Sequence, residues 1–280
     1  VNRDVEPSNT LFLDSTRDRV WILYSLLDAT QSDFIVENWI KSTSNLDSCW
    51  LSRGNLLHWE NLSGWSRRGM GLRFSDGLSP EESSGNFSLK AWHGANRYVE
   101  GLDEILKIAQ DKFAIYSVRF QKKSGGSISI SAEWYSDGKV TINRAEDADE
   151  VLISVAEMAN RYADSLKEAT NLRNKKIAPF EIDFSKRIED LDAFSATVTK
   201  GQGAMKLWLA EIEACQDFRR FKGVDLHTWD RILLDVGPDY VYLTVPGKGC
   251  VNAAPRLAVV QGEDNAGRAS IYHDGTEVFA

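Results

Sequence analysis

Four histidines, His58, His93, His227 and His273, are the natural places to look for acid–base chemistry in this chain. In His58-Trp59-Glu60, an extended backbone would put the imidazole and the carboxylate on one face. Side chains so placed can pass a proton between a general acid and a general base. In Asp225-Leu226-His227-Thr228-Trp229-Asp230, Asp225 and His227 share a face of an extended strand, a geometry that orients an imidazole. His58, Glu60, His227 and Asp230 are therefore the catalytic candidates, as in a hydrolase whose site is assembled from distant segments. No nucleophile stands near either pair to complete a triad. No HExxH, HxH or CxxC spacing occurs, so no metal site is expected, and no cofactor.

A second set of residues suits binding. Trp65-Ser-Arg-Arg-Gly-Met-Gly-Leu-Arg73 reads as a basic, glycine-containing turn. Arg67, Arg68 and Arg73 there could hold a phosphate or carboxylate, with Trp65 stacking beside them as in a nucleotide or nucleic-acid module. The plainer reading leaves these arginines solvated at a hairpin tip. Pro246-Gly-Lys-Gly-Cys250 resembles part of a phosphate loop but lacks the first glycine and the Ser/Thr after the lysine, so it reads as a tight loop. Lys248 beside Cys250 could lower the thiol pKa. Six of the nine tryptophans, Trp21, Trp39, Trp50, Trp59, Trp65 and Trp92, precede residue 93. Clustered indoles fill a core or anchor a partner. Trp59, Trp65 and Trp92 join the arginines as ligand- or partner-binding candidates.

The elements that must position these residues alternate. In residues 1–85, the Trp-rich N-terminal α+β region, apolar spacing predicts a helix over 32–42, capped by Ser32 or Asp33, and strands near Cys49–Trp59 and Met70–Phe74. Asp76–Gly85 reads as a loop and boundary. In residues 86–175 the expected order is a strand at Phe87–Trp92, a helix at Tyr98–Gln110, a strand at Phe113–Phe120, and a hairpin turning at Ser136-Asp137-Gly138. A helix over Asp147–Glu168 and a basic linker, Asn171–Lys176, follow. In residues 176–280 a strand (Phe180–Phe184), a helix (Lys186–Thr199), strands at Ala204–Ala214, 223–235 and 239–245, a short helix at Asn252–Val260 and a terminal hairpin are expected.

The last two regions echo each other. Val99-Glu-Gly-Leu-Asp-Glu-Ile105 parallels Ile188-Glu-Asp-Leu-Asp-Ala-Phe194 as apolar–Glu–x–Leu–Asp–x–apolar, each opening a helix after a strand. The expected fold is α+β: tandem β-α-β-β-α, ferredoxin-like units with mostly antiparallel sheet. Joined at their edges, such units leave one sheet face free for a partner.

Composition ranks the functions. A formal net charge of −8 argues against nonspecific nucleic-acid binding and suits a basic partner. Three scattered cysteines argue against a disulfide framework, and the chain reads as cytoplasmic. No apolar run is long enough to span a membrane, and the polar first residues do not resemble a signal peptide. With few convergent catalytic residues, the expected function is a non-enzymatic binding or regulatory protein that engages a protein partner through an exposed sheet face or the Trp-rich surface.

Overall fold

The computed structural model describes residues 11–62, 64–75, 86–92, 114–199, 205–265 and 268–279. Among them the chain is α+β, with helices and mostly antiparallel sheets. A short hairpin, β1 (Leu11–Asp14) and β2 (Ile22–Ser25), opens it. Helix α1 (Ala29–Ser42) follows, capped by Asp28, whose carboxylate accepts from the Gln31 N–H. The cap thus lies four residues before the earlier candidate Ser32. Asp28 satisfies an orphan amide that Ser32, already inside the helix, cannot reach.

The segment expected as a strand near Cys49–Trp59 is instead two short helical turns, α2 (Arg53–Leu56) and a 3-10 turn at His58–Asn61. Ser52 caps α2 through the Asn55 N–H. Helical spacing lets Leu56 and Trp59 enter the core together.

The smaller sheet has the order β4-β3-β5-β6-β7. Its strands are β3 (Trp65–Ser75), β4 (Asn86–Trp92), β5 (Ala114–Ser124), β6 (Ser127–Tyr135) and β7 (Val140–Ala145). The basic glycine-containing segment is therefore the interior of β3 and not a hairpin tip. Gly71 lies where a Cβ would stand 2.4 Å from the Ser117 hydroxyl and 2.6 Å from the Tyr116 ring, so only glycine fits. Strand β3 also carries the sheet across the boundary expected near residue 85, because it pairs with both β4 and β5. The expected loop at Asp76–Gly85 and helix at Tyr98–Gln110 lie outside the described residues.

Helix α3 (Ala148–Lys175) is capped by Asp147 and runs through the stretch expected as a linker. No glycine or proline interrupts Asn171–Lys175, and Arg173 and Lys175 suit the negative end of the helix dipole.

The larger sheet has the order β14-β13-β8-β12-β11-β10-β9. It comprises β8 (Phe180–Phe184), β9 (Leu207–Cys215), β10 (Phe218–Asp225), β11 (Asp230–Val236), β12 (Tyr240–Thr244), β13 (Ala269–His273) and β14 (Thr276–Val278). Helices α4 (Leu191–Thr199) and α5 (Ala253–Asn265) accompany it. The segment 223–235, expected as one strand, is two strands folded back at residues 226–229. The strand orders of the two sheets are unrelated. β8 pairs with the last strand of its meander, β12, whereas β4 is separated from β5 by β3. The tandem unit expected from the similar patterns at Val99 and Ile188 is therefore not confirmed, the Val99 pattern lying outside the described residues. Such patterning records only which side of a helix is apolar, and it is silent about strand order.

One core joins the two sheets. Helix α5 packs on β3 and β5 on one side and on β8 and β13 on the other. Phe180, Ile182, Phe221, Leu234, Val241 and Leu243 form the inner face of the larger sheet and are fully buried. Burying each such side chain contributes about 1.5–3 kcal/mol.

Candidate functional site

The larger sheet has one buried face and one open face. Along its open face the register aligns Trp208, Val224 and Arg231 across β9, β10 and β11, and next to them Ala210, Lys222, Leu233 and Thr244. Trp208 is 66% exposed, Ile212 56% and Leu233 38%. A third row is closed by polar contacts. Arg220 binds Asp235 through two nitrogens (2.7 and 3.0 Å) and Glu213 at 3.0 Å, while the Tyr242 hydroxyl donates to Glu181 at 3.2 Å. The open face is thus apolar at the Trp208 end and sealed by ion pairs at the other. Among the described strands β9 is the outer one at that apolar end.

A second exposed indole lies in the turn at the same end of these strands. Trp229, 65% exposed, ends the β10–β11 turn with φ at 61°. A bulky residue in the left-handed region costs on the order of 1–3 kcal/mol unless its surroundings hold it there. The holder is visible. The Trp229 N–H donates to the Asp225 carbonyl at 2.6 Å, and the Asp225 carboxylate accepts the His227 N–H at 3.0 Å. That carboxylate is itself clamped by Arg256 (2.9 and 3.3 Å).

Arg256 is the hub of a buried polar network. It binds Asp47 at 2.6 and 2.9 Å as well as Asp225, and donates to the Met205 carbonyl at 3.0 Å. Burial opposes its charge, but the two carboxylates outweigh that, and its pKa is raised. Asn252 donates to Asp47 and accepts from the Tyr162 hydroxyl, which in turn accepts from the Trp50 N–H. Burial pushes the Tyr162 phenol well above its usual range. Lys206, lowered by burial, donates to the carbonyls of Ile40 and Leu46. The network ties the loop after α1 to the turn that presents Trp229.

A third feature is a cleft of about 600 Å³ between the 3-10 turn, β3 and the start of α3. Trp59, Leu62 and Trp65 stand on one side, and Asp147, Asp149, Glu150 and Glu157 on the other, with Lys122 between. Trp59, Trp65 and Trp134 pack ring to ring at 4.8–5.7 Å.

The catalytic candidates are not assembled. In a 3-10 turn, positions two apart point to different sides. His58 meets Glu157 at 3.2 Å, while Glu60 pairs with Arg67 at 2.5 Å. His227 lies in a turn and not on a strand, so it shares no strand face with Asp225 or Asp230. His273 is buried against Phe180, and His93 lies outside the described residues. Of the binding candidates, Trp59 is core and Trp65 half-buried, while Arg73 lies over the Tyr116 ring at 4.8 Å. Arg67 and Arg68 sit within β3 and Trp92 ends β4. The exposed pair, Trp208 and Trp229, was not among the candidates. Its signal was present: an indole amid the alternation of Leu207-Trp-Leu209 and another in a polar turn. Burial pushes the Cys250 thiol up, opposite to the lowering expected from Lys248. Among the described residues no group of three His, Cys, Asp or Glu side chains could hold a metal, and no helix is long and apolar enough to cross a membrane.

The fold and its surfaces define a class: an α+β protein whose two larger antiparallel sheets share one core, with Trp208 exposed on the open face of the seven-stranded one. The chain belongs to the MJECL33-like protein family, whose model matches residues 2–261. It is 24% identical to the uncharacterized protein MJECL33 of Methanocaldococcus jannaschii over 88% of this chain and 72% of that protein. No solved structure matches it.

Proposed function

We propose that this chain is a non-enzymatic, cytoplasmic binding protein that docks a protein partner on the open face of its larger sheet. One observation carries the reading: Trp208 and Trp229 stand about two-thirds exposed at the same end of the sheet, the second in a backbone conformation that buried ion pairs enforce. Exposed indoles beside arginine are the commonest anchors of protein interfaces. Held rigid before binding, they lose little entropy on docking. Leu233, Ile212 and Arg231 extend the patch, and the outward edge of β9 offers backbone groups to an added strand. Three free thiols suit a reducing compartment.

The test is affinity capture from the native host with the wild type and with Trp208→Ala/Trp229→Ala. A protein retained by the wild type and lost with the double variant, then rebound after purification at an affinity at least about a hundredfold lower for that variant, is the expected result. Partners that bind both forms equally would end this reading.

A further inference from the structure

We infer, building on the docking reading above, that the partner segment received by the open face of the larger sheet is acidic, with two carboxylates about 7 Å apart and an apolar side chain beside them. The strand register builds the patch. Val224 stands at its centre, directly across from Trp208 on one side and Arg231 on the other. Lys222 and Leu233 are paired in the next row. Paired residues share a face, and diagonal neighbours on it lie about 7–8 Å apart. Lys222 is diagonal to both Trp208 and Arg231. Trp208, Lys222, Arg231 and Leu233 are all exposed, while the residues that alternate with them, among them Leu209, Phe221 and Ile232, are buried.

The two cations are uncommitted. Among the described residues neither Lys222 nor Arg231 makes an ion pair or a hydrogen bond through its side chain. The nearby carboxylates are engaged or turned away. Glu213 and Asp235 bind Arg220, and Asp230 lies across from the buried Asp225, on the opposite face from Arg231. Two positive charges thus flank an exposed indole and an exposed leucine. A lysine near a sheet edge can serve to keep other chains away. That accounts for Lys222, but not for Arg231 on the third strand in, nor for Trp208 and Leu233 left in solvent beside the charges. Complementary charge selects a partner and speeds its arrival. Side chains two residues apart in an extended segment lie about 7 Å apart on one face, which matches the diagonal from Lys222 to Arg231. The net charge of −8 favoured a basic partner, and the sign at this face is the reverse. A single-stranded nucleic acid also brings anions, but a charge on every nucleotide would meet only these two cations on an acidic chain.

The experiment measures binding of an N-acetylated, C-amidated hexapeptide of alternating glutamate and leucine to the full chain, by calorimetry and tryptophan fluorescence. A lysine–leucine hexapeptide and decathymidylate are run alongside. Expected are binding of the glutamate–leucine peptide that weakens with added salt, and no binding of the other two. Lys222→Glu/Arg231→Glu, both at exposed positions, should weaken the glutamate–leucine peptide by at least about tenfold and admit the lysine–leucine one. Trp208→Ala should weaken the glutamate–leucine peptide by about tenfold as well. Three results would overturn the inference: no binding of that peptide up to about millimolar concentration, binding indifferent to the charge reversal, or decathymidylate bound more tightly than the peptide. The last would make the face a single-stranded nucleic-acid platform. The two readings fail separately. Binding lost with Trp208→Ala but untouched by the charge reversal keeps the docking face and strikes the acidic partner. Binding lost with the charge reversal but untouched by Trp208→Ala keeps the acidic ligand and strikes docking at the indole.

Discussion

The tryptophans of the two sheets are used in opposite ways. At the smaller sheet Trp59, on the 3-10 turn beside it, and Trp134, on β6, are fully buried, and they pack with Trp65 and Phe120. In the larger sheet Trp208 and Trp229 stand in solvent. The same side chain is a core filler where helical turns and α3 cover the sheet, and a surface feature where nothing among the described residues covers it. What separates the two roles is the layer on top, and residue type does not indicate it. Of the N-terminal concentration of indoles, which could fill a core or anchor a partner, Trp50 and Trp59 are core, Trp39 and Trp65 are half-buried and Trp21 is exposed.

Arg256 ties the loop after α1 to the β10–β11 turn, and removing it should have the largest effect. Arg256→Ala leaves the carboxylates of Asp47 and Asp225 buried without their partner. A loss of about 3–5 kcal/mol is expected, read as a lowered urea midpoint. The β10–β11 turn should loosen as well, seen as a change in Trp229 fluorescence. A variant as stable as the wild type would mean that Trp229 holds its conformation without the hub.

The comparison itself is tested by paired truncations. Trp59→Ala empties a core site and should cost about 3–5 kcal/mol. Trp208→Ala removes a larger exposed area yet should change stability by no more than about 0.5 kcal/mol. Equal losses would show that the open face is structurally engaged, and the contrast would fail.

The smallest effect concerns the thiols. Burial, with the Asp47 charge adding to it, pushes Cys49 up to about 12. Cys215 is exposed. At pH 8, iodoacetamide should label Cys215 well before Cys49. The sign for stability follows from linkage. A folded pKa above the unfolded value of about 8.5 means that the folded state holds the proton more tightly. The contribution is fully present below that value and is lost as pH rises towards about 12. Replacing Cys49 by Ala should therefore flatten the alkaline limb of the stability profile. An unchanged limb would assign that loss to other groups, such as Tyr162.

Local pattern made much of the fold legible. Phe-Glu-Ile-Asp-Phe alternates in and out as β8, Ser136-Asp137-Gly138 turns the hairpin with Gly138 at φ 84°, and the stripe from Val151 to Leu166 faces inward on α3. The misreadings share a cause. Leu226-His-Thr-Trp229 carries no glycine, proline or asparagine, so nothing local marks a turn. The turn exists because Asp225 is pinned from below by a residue far along the chain. Arg256 itself was conspicuous, a lone charge inside Ala253-Ala-Pro-Arg-Leu-Ala258, but its two partners lie 209 and 31 residues away.

By itself the amino-acid order determined the α+β class, the turn at Ser136-Asp137-Gly138 and the apolar faces of β8 and α3, because these depend on neighbours a few residues apart. Strand order, the pairing of Asp47 with Arg256, and the choice of which indoles meet solvent were decided only in three dimensions. Each depends on which layer comes to lie over which face, and that is settled by competition among distant apolar surfaces for a single core.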